Sequence, residues 1–114
     1  KREENCGIYR LAYPQSYDKA NVARRVGTLP YSWVTAADIS PSGNRILVKT
    51  YSKIFCYKRG KKQSVAESLA GKPKEMPYKL EEQGEAIAFD EHGKGYFTIS
   101  ERLGDTPVEL YYYK

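Results

Sequence analysis

Five side chains in this sequence have the types and positions that ligand binding requires. They are one indole ring, one amide and three carboxylates: Trp33, Gln83, Asp38, Glu85 and Glu101. An indole ring can stack on a sugar or a base, and amide and carboxylate oxygens accept hydrogen bonds. Four of the five stand just before or within short apolar runs, and Glu101 follows one. This placement predicts a binding site formed by β-strands and the loops that lead into them.

Catalysis by the familiar routes is difficult to assemble from the same sequence. The single histidine, His92, lies in a Glu-His-Gly-Lys turn, where a polar residue beside glycine is expected on conformational grounds. No G-x-S-x-G nucleophile motif is present. Glu81 and Glu82 are adjacent, so on a strand they would point to opposite faces, and we interpret them as solvated loop residues. The sequence favours a binding role over an enzymatic one.

The elements that position these side chains are predicted to be short β-strands. Runs rich in β-branched and aromatic residues recur along the chain, whereas helical periodicity rarely lasts beyond one turn. Turns with glycine in third place, at residues 41–44 and 91–94, separate pairs of these runs. The best helix candidate is residues 63–70, where we expect a loop or a single helical turn because so short a segment without caps is marginal. The predicted fold class is all-β, an antiparallel meander.

The runs repeat with an offset of 50 residues, because residues 36–47 align with residues 86–97. Each copy has an apolar strand, a turn and a second apolar strand, and continues into an aromatic third strand at residues 54–57 or 110–113. Charged segments at residues 23–28 and 74–79 precede the copies and suit outermost strands. The alignment predicts equivalent turns at Gly43 and Gly93, and equivalent buried positions for Ile39 and Phe89.

A period of about 40 to 50 residues with three or four strands per unit is typical of β-propeller blades. We therefore predict an antiparallel meander of about two four-stranded blades plus part of a third. Residues 1–30 are expected to end a preceding blade, residues 31–79 to form one repeat, and residues 80–114 to form an incomplete second repeat.

Two phrases of the sequence resemble known bacterial propellers. D-I-S-P-S-G at residues 38–43 resembles the D-x-S-P-D/S-G hairpin of WD-type, TolB-type and related propellers. G-E-A-I-A at residues 84–88, with Ser100 and Glu101, resembles the G-E-A/G-I-A strand of phytase-like and SdiA-regulated propellers. Such rings close with about four to eight blades, so the resemblance implies a partial propeller, completed by missing blades of the same protein or by self-association. It also implies a non-catalytic binding or scaffolding module that works outside the cytoplasm, whether secreted, periplasmic or at the cell surface.

The resemblance assigns a role to one candidate residue. In phytase-like and SdiA-regulated propellers the glutamate of the G-E-A/G-I-A phrase faces the channel and can help to hold calcium, and Glu85 stands at that position here. Calcium needs about six to eight oxygen ligands, more than two blades readily supply, so we expect no cofactor, and calcium held with the help of Glu85 is the one alternative. Two further functions stay open: a calcium-dependent phytase-like or esterase-like hydrolase, and a carbohydrate-binding module that uses the strands rich in tyrosine.

Charge and cysteine content restrict the other partners. The net charge is +5 and residues 58–62 form a dense basic loop, but no RNP-like motif, zinc finger or recognition helix accompanies it, so nucleic acid is not expected. No uncharged stretch approaches the ~20 apolar residues of a transmembrane helix. Cys6 and Cys56 are either two free thiols or one disulfide, because their spacing alone does not place their Cα atoms.

Overall fold

A computed structural model describes residues 4–114, and in this part of the chain there are nine β-strands and one short helix. Residues 1–3, which belong to the first predicted unit, lie outside the description. The elements in chain order are β1 Cys6–Arg10, β2 Arg24–Leu29, β3 Val34–Ile39, β4 Arg45–Thr50, β5 Ile54–Lys58, α1 Val65–Leu69, β6 Lys74–Met76, β7 Ala86–Phe89, β8 Tyr96–Ile99 and β9 Tyr111–Tyr113.

The strands pair antiparallel in three sheets, with the orders β1-β2, β3-β4-β5-β6 and β7-β8-β9. We call these the first, middle and last sheets. The predicted all-β antiparallel fold is confirmed, and strands β2 and β6 lie where outermost strands were expected. Residues 4–114 form no closed ring. No helix within this range is long and apolar enough to cross a membrane.

The two hairpins that open the middle and last sheets have the same turn. The amide of Gly43 donates to the carbonyl of Ser40 (2.8 Å), and the amide of Gly93 donates to the carbonyl of Asp90 (3.0 Å). Both glycines have positive φ angles, 75° and 67°, which residues with a Cβ atom rarely adopt. The predicted equivalence of the two turns is confirmed.

Strand β4 is the centre of the molecule, because it is buried on both faces. Alternate side chains of a strand point to opposite faces, and here Ile46 and Val48 belong to one core cluster while Leu47 belongs to the other. The first cluster includes Leu29 of the first sheet, and the second includes Ile87 of the last sheet. The middle sheet is therefore packed between its two neighbours.

The predicted burial of Ile39 is wrong, although that of Phe89 is partly met. Phe89 is half-buried against the middle sheet, and the Arg45 guanidinium lies 5.3 Å from its ring centroid. Ile39 is 42% exposed. The first sheet has only two strands in the described part of the chain. The face of β3 that carries Ile39 therefore lies beside an apolar opening, which Ile8 and Val34 also line.

The helix α1 is better defined than the sequence indicated, because it has the cap that we took to be missing. Ser64 accepts a hydrogen bond from the amide of Glu67 (3.0 Å), and the Glu67 carboxylate accepts one from the amide of Ser64 (3.0 Å). This capping box satisfies two backbone donors of the first turn and lowers the pKa of Glu67. Of the loop or single helical turn expected at residues 63–70, the structure has the helical turn, five residues long.

The two cysteines are free thiols. Cys6 packs against the core cluster on one side of the middle sheet, whereas Cys56 packs against the cluster on the other side. Burial raises the pKa of Cys56. The sheet between them accounts for the absence of a disulfide.

Candidate functional site

The starts of β3 and β7 lie at the same side of the sheets, which we call the loop end. It comprises residues 31–33, 51–53, 77–85 and 100–110. Strands β3 and β7 run side by side in the same direction, because the Thr35 hydroxyl reaches the Gly84 carbonyl (3.4 Å) near their starts and the Asp38 carboxylate reaches the Phe89 amide (2.7 Å) near their ends. The loop end therefore joins the middle and last sheets.

A lysine is fully buried behind the loop end. The side chain of Lys49 has no exposed surface, and its ammonium donates hydrogen bonds to the carbonyl of Thr50 (2.9 Å) and to the carbonyl of Gly84. The same nitrogen lies 4.5 Å from the centre of the Tyr78 ring, a cation–π distance. Burial lowers the pKa of Lys49. A cation is thus held between the two sheets with its donors directed at backbone oxygens.

Two glutamates act on this lysine. The negative charges of Glu81 and Glu85 oppose the effect of burial on the pKa of Lys49. Glu85 accepts a hydrogen bond from the Tyr51 hydroxyl, and Glu81 accepts one through Oε1 from the Thr98 hydroxyl (2.7 Å). The other oxygen of Glu81, Oε2, is buried and has no hydrogen-bond partner within residues 4–114. Together these groups form a polar network that crosses from the middle sheet to the last.

Trp33 and Gln83, one repeat apart, share an uncommon backbone conformation. Their φ angles are 60° and 51°, and such a conformation costs about 1 to 3 kcal/mol in a residue other than glycine. Trp33 is nevertheless 45% exposed, and its ring centroid lies 6.1 Å from that of Tyr51. The two rings line a shallow depression together with Ser32, Thr50 and Ser52. Because Trp33 combines a strained backbone with an exposed ring, this depression is the best candidate for a ligand-binding surface.

The structure brings four of the five predicted site residues to the loop end. Trp33, Gln83 and Glu85 lead into β3 or β7, and Glu101 is tied to them because its amide donates to the carbonyl of Gln83 (2.9 Å). Asp38 lies at the far end of β3. Its carboxylate accepts from the amides of its neighbour in β3 (2.9 Å) and of a β7 residue (2.7 Å), so it links the two sheets.

Sequence reasoning missed three members of the network: Lys49, Tyr51 and Glu81. Glu81 was interpreted as a solvated loop residue, but it is partly buried and bonded to Thr98, because the connection from β6 to β7 folds back over the last sheet. One signal was available for Lys49. It is the only charged residue inside the apolar run 46–50, and lysine is almost never fully buried unless it is paired.

Within the part of the chain that the structure describes, the fold does not gather further metal ligands around Glu85. Among residues 4–114, no three or more histidine, cysteine, aspartate or glutamate side chains are grouped so that they could hold a metal ion. The Glu85 carboxylate is bonded to the Tyr51 hydroxyl. Its role in binding calcium stays a prediction.

Comparison with known proteins adds no assignment. No family model matches the sequence, and the curated proteins and the solved structures also gave no significant match.

Proposed function

We propose that this chain is a non-catalytic binding module, built from propeller-type blades, whose ligand contacts Trp33 at the loop end. The observation that carries the proposal is the exposed Trp33 ring held at a φ of 60°. Contact with the Tyr51 ring leaves almost half of the Trp33 side chain exposed, so packing alone does not account for the cost of its backbone conformation. Strain of this kind clusters at ligand-binding sites.

The order of the strands supports the propeller part of the proposal. The middle sheet is a four-stranded meander, and its first strand lies beside the first strand of the next sheet, with the Asp38 carboxylate bonded to the Phe89 amide across the gap. Neighbouring blades of a propeller have this relation around a central axis. The first sheet then supplies two outer strands of one blade and the last sheet three inner strands of another. Further blades, from the same protein or from other copies, would complete the ring, and a place outside the cytoplasm follows only from the resemblance to bacterial propellers.

The lining of the depression indicates the class of ligand. It contains an indole, a phenol and three hydroxyl side chains, and none of its residues carries a charge. Aromatic rings stack on the apolar faces of sugars, and the hydroxyls of Ser32 and Ser52 can donate to or accept from sugar hydroxyls, whereas the buried Thr50 hydroxyl is bonded to residues 52 and 53. A neutral glycan fits this chemistry better than an anion or a metal ion.

Titration of glycans against tryptophan fluorescence tests the proposal, because Trp33 is the single tryptophan. Suitable probes are oligomers of glucose and of N-acetylglucosamine. We expect a saturable change in emission with at least one probe. Emission that none of the probes changes at millimolar concentration would overturn the glycan assignment.

A pair of glycine substitutions separates binding from strain. Trp33→Gly and Gln83→Gly relieve the same backbone conformation at equivalent positions, but only the first removes the aromatic ring. Gln83 does not line the aromatic depression, so we expect calorimetric glycan binding to be lost in Trp33→Gly and kept in Gln83→Gly, with Gln83→Gly at least as stable as the parent chain. Equal binding by the two variants would refute the role of Trp33. Stabilisation by calcium that is lost in Glu85→Gln would instead favour the hydrolase alternative.

A further inference from the structure

A second concave surface lies at the loop end, on the last sheet. This groove has a volume of about 460 Å³, and its walls are residues 79–82 and parts of the connection 100–111. Three apolar side chains on these walls are exposed: Leu80 by 70%, Leu103 by 43% and Val108 by 37%. Exposed apolar residues that lie together and have a polar rim mark interaction surfaces.

The polar rim of the groove has the opposite charge to the protein as a whole. Four carboxylates and one ammonium line it, belonging to Glu81, Glu82, Glu101, Glu109 and Lys79, which gives a formal charge of −3. The whole chain has a net charge of +5. The nearby Arg102 does not line the groove and pairs with Asp105 (3.8 Å). The local field therefore attracts cationic groups and repels nucleic acid.

One carboxylate of the groove has an unsatisfied oxygen. Glu81 lines the groove, and its Oε1 is bonded to the Thr98 hydroxyl, but its buried Oε2 has no partner among the residues that the structure describes. A buried acceptor without a donor is unfavourable, and most such atoms in proteins are bonded. The Glu81 carboxylate therefore adds negative charge to the groove wall.

We propose that this groove binds an extended basic segment of a partner protein, in which lysine or arginine alternates with apolar side chains. Alternation places apolar side chains on one face of an extended chain, where they can cover Leu80, Leu103 and Val108, while basic side chains reach the carboxylates. A bare metal ion would leave the apolar walls uncovered. The basic loop at residues 58–62 of a second copy has the charge but no apolar residue, so this loop does not fit the groove.

Fluorescence anisotropy with a labelled peptide of alternating lysine and valine tests the proposal. We expect saturable binding at low salt that weakens as salt is added. Peptides of alternating lysine and serine, and of alternating glutamate and valine, should bind at least about tenfold more weakly, because each lacks one of the two matched features. A lysine–serine peptide that binds equally well would reduce the effect to general attraction of charge and overturn the proposal.

Matched charge reversals locate the binding. The double variant Glu101→Lys with Glu109→Lys should weaken binding of the lysine–valine peptide by about tenfold or more. Glu91→Lys introduces a lysine at an 86% exposed site on the opposite hairpin turn and should change the affinity by less than about twofold. Equal loss in Glu91→Lys and in the double variant would refute the location. Thermal unfolding of each variant shows that it is folded, and unaltered peptide binding by Trp33→Gly separates this surface from the aromatic depression.

Discussion

Replacement of Lys49 by methionine tests whether the buried network holds the middle and last sheets together. Methionine has a similar length, so the change mainly removes the charged end of the side chain. The carbonyls of Thr50 and Gly84 lose the hydrogen bonds that the ammonium donates, and the Tyr78 ring loses its cation. Glu81 and Glu85 keep their charges but lose the opposite charge that faces them.

The expected loss of stability follows from these contacts. Each hydrogen bond to a charged group contributes about 1.5 to 3 kcal/mol. The variant no longer buries an ammonium, and avoiding that cost offsets part of the loss. Removal of one partner from a buried ionic network typically costs about 3 to 5 kcal/mol, because the remaining charge is uncompensated. We therefore expect the free energy of unfolding to fall by about 3 to 5 kcal/mol, a large part of the 5 to 15 kcal/mol of a typical domain.

The effect should depend on pH. Burial lowers the pKa of Lys49 in the folded chain, so between that pKa and 10.5 the unfolded chain binds more protons than the folded chain. The stability contribution of this group consequently rises with pH across that window. The methionine variant lacks the group, so the difference in the free energy of unfolding between the two proteins should increase as the pH approaches 10.5.

Urea unfolding monitored by circular dichroism measures the change. The matched control is Lys53→Met, since Lys53 is 57% exposed and its ion pair with Glu75 (3.2 Å) is on the surface. Exposed ion pairs contribute about 0 to 1 kcal/mol. If Lys49→Met lost less than about 1 kcal/mol, or no more than the control, the network would not be a determinant of stability.

Three further predictions use the same assays. Burial raises the pKa of Tyr96 to about 12, so its contribution to stability should fall between pH 10 and pH 12 as the unfolded chain ionises first, and in Tyr96→Phe the free energy of unfolding should fall less steeply with pH, by at most about 1.4 kcal/mol per pH unit. In Gly84→Ala the new Cβ would collide with the Tyr78 hydroxyl and would lie 3.1 Å from the Lys49 ammonium, so we expect a loss of about 1 to 3 kcal/mol, whereas Gly60→Ala, whose Cβ would have its nearest contact at 3.7 Å, should be tolerated. Asp38→Ala leaves a β7 amide without its acceptor and should lower stability by about 1 to 3 kcal/mol without weakening glycan binding, and weakened binding with unchanged stability would contradict the structural role.

Local rules were enough to predict most of the strands. The turns at Gly43 and Gly93 require positive φ, and the residue types of four or five consecutive positions are enough to predict such a turn. The repeat offset and the outermost strands β2 and β6 followed from period and composition alone. The helix cap at Ser64 and Glu67 was also a local signal, and it was overlooked rather than hidden.

The candidate site was predictable only in part. Residues that lead into the first strands lie at one end of adjacent hairpins, and Trp33, Gln83 and Glu85 precede β3 or β7 at that end, but their role in binding stays a prediction. The exposed side of Ile39 was not foreseen, because burial depends on which sheet covers it and the sequence alignment assumes equal neighbours for both copies.

The sequence by itself determined where the chain turns and which runs become strands, since those choices depend on residues a few positions apart. Only the tertiary structure decided that Lys49 is buried against Gly84, 35 positions away, and that Asp38 joins two sheets. The same holds for the groove between residues 79–82 and 100–111. Contacts of this kind depend on how the sheets pack, and a polar side chain has the same identity in the sequence whether solvent, a carbonyl or a ligand satisfies it.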